Sequence, residues 1–236
     1  MECKALRCLK CFRPEDFCLC SHVRKFTPRS KIIILIHPME AKREKLGSGR
    51  ITRETLENSE LIMGIDFTDD KRVNELLADD RYLPLVLYPG DDSISATNPT
   101  KEQKELLSNK IPLIFAIDGT WPCAKKMMKL SSNINSLPRI SFETDRVSEF
   151  LIKHQPHVKA LSTIESIHVL LDDLDRNGLE NLERKHDALI DVFKKMVQMQ
   201  IAVATDPNRP SYRGRKMSKD RTLLIREKKN RSFILK

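Results

Sequence analysis

Three short apolar runs, each cut off by a turn and followed by a helical pattern, constrain this chain more than any other feature. Lys31-Ile-Ile-Ile-Leu-Ile36 stops at His37-Pro38, Leu83-Pro-Leu-Val-Leu-Tyr88 stops at Pro89-Gly90-Asp91-Asp92, and Ile111–Ile117 stops at Asp118-Gly119-Thr120. Runs that are apolar at successive positions bury both faces of a strand, as in a parallel sheet covered by helices. Helices are expected around Arg53–Met63, Lys71–Ala78, Thr100–Ser108 and Trp121–Leu130, and a further strand at Pro138–Phe142. Ser162-Thr-Ile-Glu165 places a capping box at the start of an amphipathic helix, and a second, long helix is expected over about Leu179–Ala204. This alternation predicts an α/β fold with a largely parallel sheet flanked by helices. Function should gather in the loops after the strand ends, at His37–Glu40, Tyr88–Asp92 and Asp118–Trp121.

Charge adds a partner class. The 236 residues carry a formal net charge of +9. From Arg209 to Lys236 there are eleven basic and two acidic side chains, so this segment alone sums to +9. Residues 1–31 hold eight basic against three acidic, or +5, which leaves residues 32–208 at −5. A mildly acidic body between basic ends suits a polyanion gripped at a defined place. With 40% hydrophobic residues the chain can bury a core. Its longest nearly apolar run, Ile111–Ile117, is far too short to span a bilayer. The N-terminus has no apolar signal core, so a cytoplasmic protein is expected. The organisation expected is a cysteine-rich segment at 1–30, a catalytic domain at 31–208 and a basic tail at 209–236.

Cys8-x2-Cys11-x6-Cys18-x-Cys20 supplies four thiolates within thirteen residues. In a reducing compartment such a cluster points to a structural zinc site rather than disulfides, with Pro14-Glu15-Asp16 as the turn between the pairs. Cys3 and His22 are possible substitute ligands, and nearby Arg7, Lys10, Arg13, Arg24 and Lys25 would offset the negative charge of a four-thiolate centre. Reduced, unliganded cysteines are the alternative.

Asp118-Gly-Thr-Trp121 is the most informative stretch. A carboxylate at the mouth of a buried strand is partly desolvated, which raises its pKa and suits a general base. Gly119 permits close backbone approach, the following helix N-terminus offers N–H donors to an anion, and Trp121, the only tryptophan, offers a face for a cation or nucleobase. The competing reading is that Asp118 caps the helix and Trp121 fills the core.

Cys-x2-Cys-x-Arg-Pro-x3-Cys-x-Cys at 8–20, His37-Pro-x-Glu40, Leu87-Tyr-Pro-Gly90, Asp118-Gly-Thr-Trp121 and Leu161-Ser-Thr-Ile-Glu165 occur in this order. Together they resemble the DTW-domain proteins over roughly residues 8–212. The resemblance implies transfer of the 3-amino-3-carboxypropyl group of S-adenosylmethionine to N3 of a tRNA uridine, on an α/β fold related to the SPOUT methyltransferases. It implies Asp118, Thr120 and Trp121 as the active-site element. Leu87, Tyr88, Pro89, Gly90, Ile117 and Asp118, with Ser162, Thr163 and Glu165, are implied as the cofactor site. This chain departs from the pattern at Gly47-Ser48-Gly49-Arg50, and at Lys153-His154 before Gln155-Pro156, where an Arg is expected. A Lys holds a carboxylate as a point charge without the guanidinium's fork.

The implied chemistry suits these side chains. Uridine N3–H must lose its proton before N3 attacks, which makes Asp118 the candidate base with Thr120 orienting it. N3 lies on the Watson–Crick edge, so the base must be unpaired or extruded, and Trp121 or Tyr88 could stack on it. Glu165 could hold the donor's ammonium, cap its helix, or both. Lys125 and Lys126 on the helix after Trp121, with Arg209, Arg213, Arg215 and Lys216 in the tail, are candidate tRNA contacts. A SPOUT-like RNA methyltransferase and a non-catalytic zinc-bearing RNA-binding protein are the rival readings.

Overall fold

The structure, a computed structural model, describes residues 8–11, 13–43, 47–150 and 160–205. The chain runs β1 (Lys31–Ile36), α1 (Pro38–Arg43), α2 (Ser48–Thr55), β2 (Glu60–Met63), α3 (Lys71–Leu77), β3 (Tyr82–Leu87), β4 (Ile94–Ser95), α4 (Lys101–Asn109), β5 (Ile111–Asp118), α5 (Trp121–Leu130), α6 (Ser132–Asn135), β6 (Arg139–Ser141), α7 (Thr163–Arg176) and α8 (Asp187–Thr205). Among the described residues the strands form one sheet in the order β2-β1-β5-β3-β6-β4, and every pairing is parallel. The three apolar runs are its centre, β1-β5-β3, with Ile36 opposite Asp118 and Leu87 opposite Ala116. The ends of these strands therefore lie side by side, although the chain visits them far apart.

Strand side chains alternate between faces, which divides the core in two. Ile32, Ile34, Ile114 and Ala116 pack with Ile51 of α2, with α7 through Ile167 and Leu170, and with α8 through Val192 and Phe193. Ile33, Leu35, Leu113 and Phe115 pack on the opposite face with Val73 of α3, Met127 of α5 and Ile134 of α6. The N-terminal segment shares the first of these cores: Leu19 is fully buried in it and Phe26 bridges to Leu56.

Two expected helices differ. The segment expected as one helix over Arg53–Met63 is the end of α2 followed by strand β2. Ser59 Oγ donates to the carbonyls of Leu56 at 2.7 Å and Arg53 at 3.2 Å, and Asn58 Nδ2 donates to those of Pro28 and Ser30. Such side-chain bonds to the backbone compete with the helix and end it, and the open edge of β1 captures the next four residues. The long helix expected from Leu179 begins instead at Asp187. Past the end of α7 at Arg176, Gly178 takes a positive φ of 74°, with Leu179 N–H donating back to the Leu174 carbonyl at 2.9 Å. The following residues are then held irregular by tertiary bonds: Glu180 accepts from Arg29 N–H, Ser30 N–H and Ser30 Oγ, and Asp175 accepts from Leu182 N–H. The two-residue strand β4 carries no period of its own and was not expected.

Candidate active site

The C-terminal ends of β3, β5 and β6, with the N-termini of α5 and α7, enclose a cavity of about 630 Å³. That size suits a small-molecule ligand. Leu87, Tyr88, Pro89, Ile117, Asp118, Thr120, Trp121, Ser162 and Thr163 all line it, so three separate sequence motifs meet at one place. Ser48, from the N-terminus of α2, also reaches the wall.

Asp118 lies at the floor and is only 5% exposed. Thr163 Oγ1 donates to Asp118 Oδ1 at 2.6 Å, joining the start of α7 to the end of β5. Asp118's backbone carbonyl accepts from His37 N–H at 2.9 Å, which fixes the neighbouring strand ends in register. His37 itself is buried, with Nδ1 accepting from Met39 N–H at 3.2 Å. Gly49 of α2 lies against the carboxylate so closely that a Cβ there would overlap Asp118 Oδ2. Gly49 was visible in the sequence only as part of a departure from the family pattern.

Thr120 is the N-cap residue of α5, yet its side chain makes no cap bond, and it is exposed at the cavity. The hydroxyl seen on the Asp118 carboxylate is that of Thr163, not the expected Thr120. The N-termini of α5 and α7 both border the cavity, and aligned peptide dipoles make such ends favourable for anions.

An aromatic rim closes one side. Trp121 is 41% exposed and meets Tyr88 edge to face, with ring centroids 6.4 Å apart. Arg139 lies over the other ring, 5.5 Å from the Tyr88 centroid, and Nη1 donates to the Pro89 carbonyl at 3.2 Å. Gly90 is not on the cavity wall; a Cβ there would come within 2.7 Å of Arg139 Nη1, so its lack of a side chain makes room for the guanidinium. Arg139 escaped the sequence reading because its partners Tyr88 and Pro89 are 51 and 50 positions away and no local pattern marks it.

Glu165 is also off the wall. Its Oε2 accepts from Ser162 N–H at 2.8 Å, Ser162 Oγ at 2.5 Å and Ser148 Oγ at 2.8 Å, and its Oε1 accepts from Glu149 N–H at 2.7 Å. Of its sequence alternatives, this arrangement is that of a cap, and it also ties residues 148–149 to the start of α7.

At the N-terminus, Cys8 Sγ and Cys20 Sγ are 3.6 Å apart and Cys11 Sγ and Cys18 Sγ 3.8 Å, and all four atoms lie within 4.8 Å of one another. None of these cysteines is in a disulfide. Together they could hold a metal ion. Backbone N–H groups of Cys11 and Lys10 directed at the Cys8 sulfur bring its thiol down to about 6. Arg13, 3% exposed, lies behind the cluster with Nη2 3.0 Å from Met196 Sδ of α8. Burial pulls its guanidinium down to about 10, against the opposing attraction of Cys11, Cys18 and Cys20.

Residues 5–201 match the family model described as DTW domain. The chain belongs to the DTW domain family. Similar DTW relatives include "tRNA-uridine aminocarboxypropyltransferase 2" of Mus musculus, 31% identical over 189 residues, covering 77% of this chain and 61% of the relative. The protein of the same name in Drosophila melanogaster is 30% identical over 166 residues, covering 68% of this chain and 63% of the relative. The chain thus spans about three-fifths of the length of these curated relatives. No solved structure matches.

The element that names the DTW family, Asp118-Gly-Thr-Trp121, is the turn from β5 into α5, and its three named side chains all face the cavity. Lys125 and Lys126, one turn further along α5, are exposed. The Lys153–Pro156 stretch and the tail positions Arg209, Arg213, Arg215 and Lys216 lie outside the described residues. No helix among the described residues is long and apolar enough to cross a membrane.

Proposed function

We propose that this chain transfers the 3-amino-3-carboxypropyl group of S-adenosylmethionine to N3 of a uridine in tRNA. The observation that carries this reading is the buried Asp118 carboxylate, held by Thr163 at the floor of a cavity bordered by two helix N-termini and an exposed tryptophan. The activity printed in the names of the two relatives supports it.

The residues present fit the donor. Leu87, Ile117, Phe142 and Leu161 give the cavity apolar walls for an adenosine, and the N–H groups at the start of α5 and α7 suit a carboxylate. When bound, S-adenosylmethionine supplies a carbon made electrophilic by its sulfonium. Which of its three activated carbons reacts is a matter of position. Asp118 removes the proton from uridine N3, Thr163 holds the carboxylate in place, and Thr120, its hydroxyl unused by the helix, orients donor or acceptor. Trp121, edge-on to Tyr88, stacks on the extruded base and shields it from water. Lys125, Lys126 and the basic tail from Arg209 hold flanking phosphates.

The cysteine cluster fits structural zinc. Thiolates ~2.3 Å from a tetrahedral zinc lie ~3.8 Å from each other, close to the 3.6 and 3.8 Å separations of the two pairs. The buried Arg13 would offset the charge of such a centre.

Incubating the full chain with S-adenosylmethionine and total tRNA, then analysing nucleosides by mass spectrometry, tests the reading. Aminocarboxypropyl-uridine and methylthioadenosine are expected. Adenosylhomocysteine with a methylated base would replace it with a methyltransferase, and absence of either product with every tRNA would leave a binding protein.

A further inference from the structure

The cysteine cluster and α2 enclose a second groove, of about 810 Å³, on a different side of α2 from the cavity. Lys10 projects into it from the cysteine segment, Lys25 from the stretch before β1, and Arg50 and Arg53 from α2. Leu9 and Val23 contribute apolar wall. Leu9 is 88% exposed between two candidate metal ligands, an uncommon place for so apolar a side chain. The N–H groups of Lys10 and Cys11 on the Cys8 sulfur give this tip a defined backbone.

The charge in the groove is positive once internal pairs are set aside. Glu60 is taken by Arg72, through Nε at 2.8 Å and Nη2 at 2.7 Å, and by Lys31 at 2.9 Å. Glu54 is paired with Arg53 through Nη1 at 2.7 Å, and the Arg53 side chain stays half exposed, so its guanidinium is still presented to the groove. Lys10 and Lys25 are exposed and belong to none of these pairs. The groove thus combines the cations of Lys10 and Lys25 with apolar wall, and among the described residues that line it there is no aromatic ring. That chemistry suits a sugar–phosphate strand rather than a small heterocycle.

Helix α2 connects the two places. Its first residue, Ser48, lines the cavity, and Arg50 and Arg53 line the groove. At ~1.5 Å rise per residue the five steps from Ser48 to Arg53 advance about 7.5 Å along the helix axis, with the groove around the helix from the cavity.

We infer that this groove is a second RNA-contact site, holding the sugar–phosphate backbone beside the modified uridine through Lys10, Lys25 and Arg53, with Leu9 against a sugar or base. This rests on tRNA being the substrate. It also gives the cysteine segment a function besides stability, since a folded cluster is needed to present Lys10 and Leu9.

The test uses the full chain carrying Lys25→Glu and Arg53→Glu, two groove positions outside the cysteine cluster, with Lys10→Glu as a separate variant. A control carries Lys101→Glu and Lys110→Glu, exposed positions at the start of α4 and just past its end. Filter binding of tRNA over a range of salt is expected to give a log–log slope shallower by about 1.5–2 for the double variant. Its KM for tRNA should rise on the order of tenfold at physiological salt, with KM for S-adenosylmethionine, metal content and melting temperature unchanged. The control should match the parent protein. An unchanged slope and unchanged KM for tRNA in the double variant would overturn the inference, as would an equal loss in the control. Should the double variant show the expected slope change in tRNA binding while the parent protein forms no aminocarboxypropyl-uridine, the reaction assigned above fails while the groove stands.

Discussion

The Thr163 hydroxyl donates to Oδ1 of Asp118 at 2.6 Å, across 45 positions of sequence. The bond sets the carboxylate's direction and joins the two helix N-termini that border the cavity. Asp118→Asn should retain the fold and lower the rate of N3 modification by about 10²–10⁴. Thr163→Val should lower kcat by roughly tenfold or more, while Thr163→Ser, which keeps the hydroxyl, recovers most of it. Single-turnover product formation measures both. Equal rates for the Val and Ser variants would remove Thr163 from the mechanism.

Gly49 forms the back of the same carboxylate. Gly49→Ala places a methyl that overlaps Asp118 Oδ2, so the carboxylate and the helix can no longer keep their relative positions. Overpacking of this kind costs about 1–3 kcal/mol. The expected result is a modest fall in melting temperature with a much larger loss of activity. A fully active Gly49→Ala protein would show that the carboxylate's position is not critical.

The rim makes a different prediction. Trp121→Ala should raise KM for tRNA by a factor matching about 1–3 kcal/mol of lost stacking, and Trp121→Phe should restore part of it. Arg139→Ala, which frees Tyr88 and Pro89, should affect the same parameter more weakly. KM for S-adenosylmethionine rising instead would move the aromatic pair to the donor side.

Metal analysis should give one zinc per chain. Cys8→Ser or Cys20→Ser should lose it and lower the melting temperature, because Leu19 and Phe26 are buried in the main core beside the cluster. Parent protein free of zinc, with the cysteine variants equally stable, would contradict this.

Acid stability has one identifiable contributor. The hydrogen bonds from Arg72, with Lys31 adding to them, hold Glu60 at about 2, below the 4.5 of a free glutamate. A carboxylate depressed in the folded state contributes stability above its unfolded value and loses it as pH falls through the folded one. The contribution should therefore fade between about pH 4.5 and 2. Arg72→Met should lower the melting temperature at pH 6 and converge with the parent near pH 2, as thermal melts across that range would reveal.

The strands, the candidate turn and the cysteine cluster were legible locally. An uninterrupted apolar run, an Asp-Gly turn, the Ser162-x-x-Glu165 capping box and two pairs of close cysteines each act within a few residues, so composition and spacing suffice. The helix expected at Arg53–Met63 failed for the opposite reason. Its apolar residues satisfy a helical period, but Ser59 and Asn58 find carbonyl partners and the edge of β1 offers hydrogen bonds to β2.

By itself, then, the sequence determined that β1, β3 and β5 would be buried parallel strands, and that Asp118-Gly-Thr-Trp121 would follow one of them. Only the tertiary structure decided which side chains meet there: Thr163 and Gly49 on Asp118, Arg139 on Tyr88, and the bonds from Ser148 and Glu149 that hold Glu165 away from the cavity wall. Strand order is set by burial of two sheet faces at once, a sum over the whole chain. Contacts between distant residues follow from that order and leave no local trace.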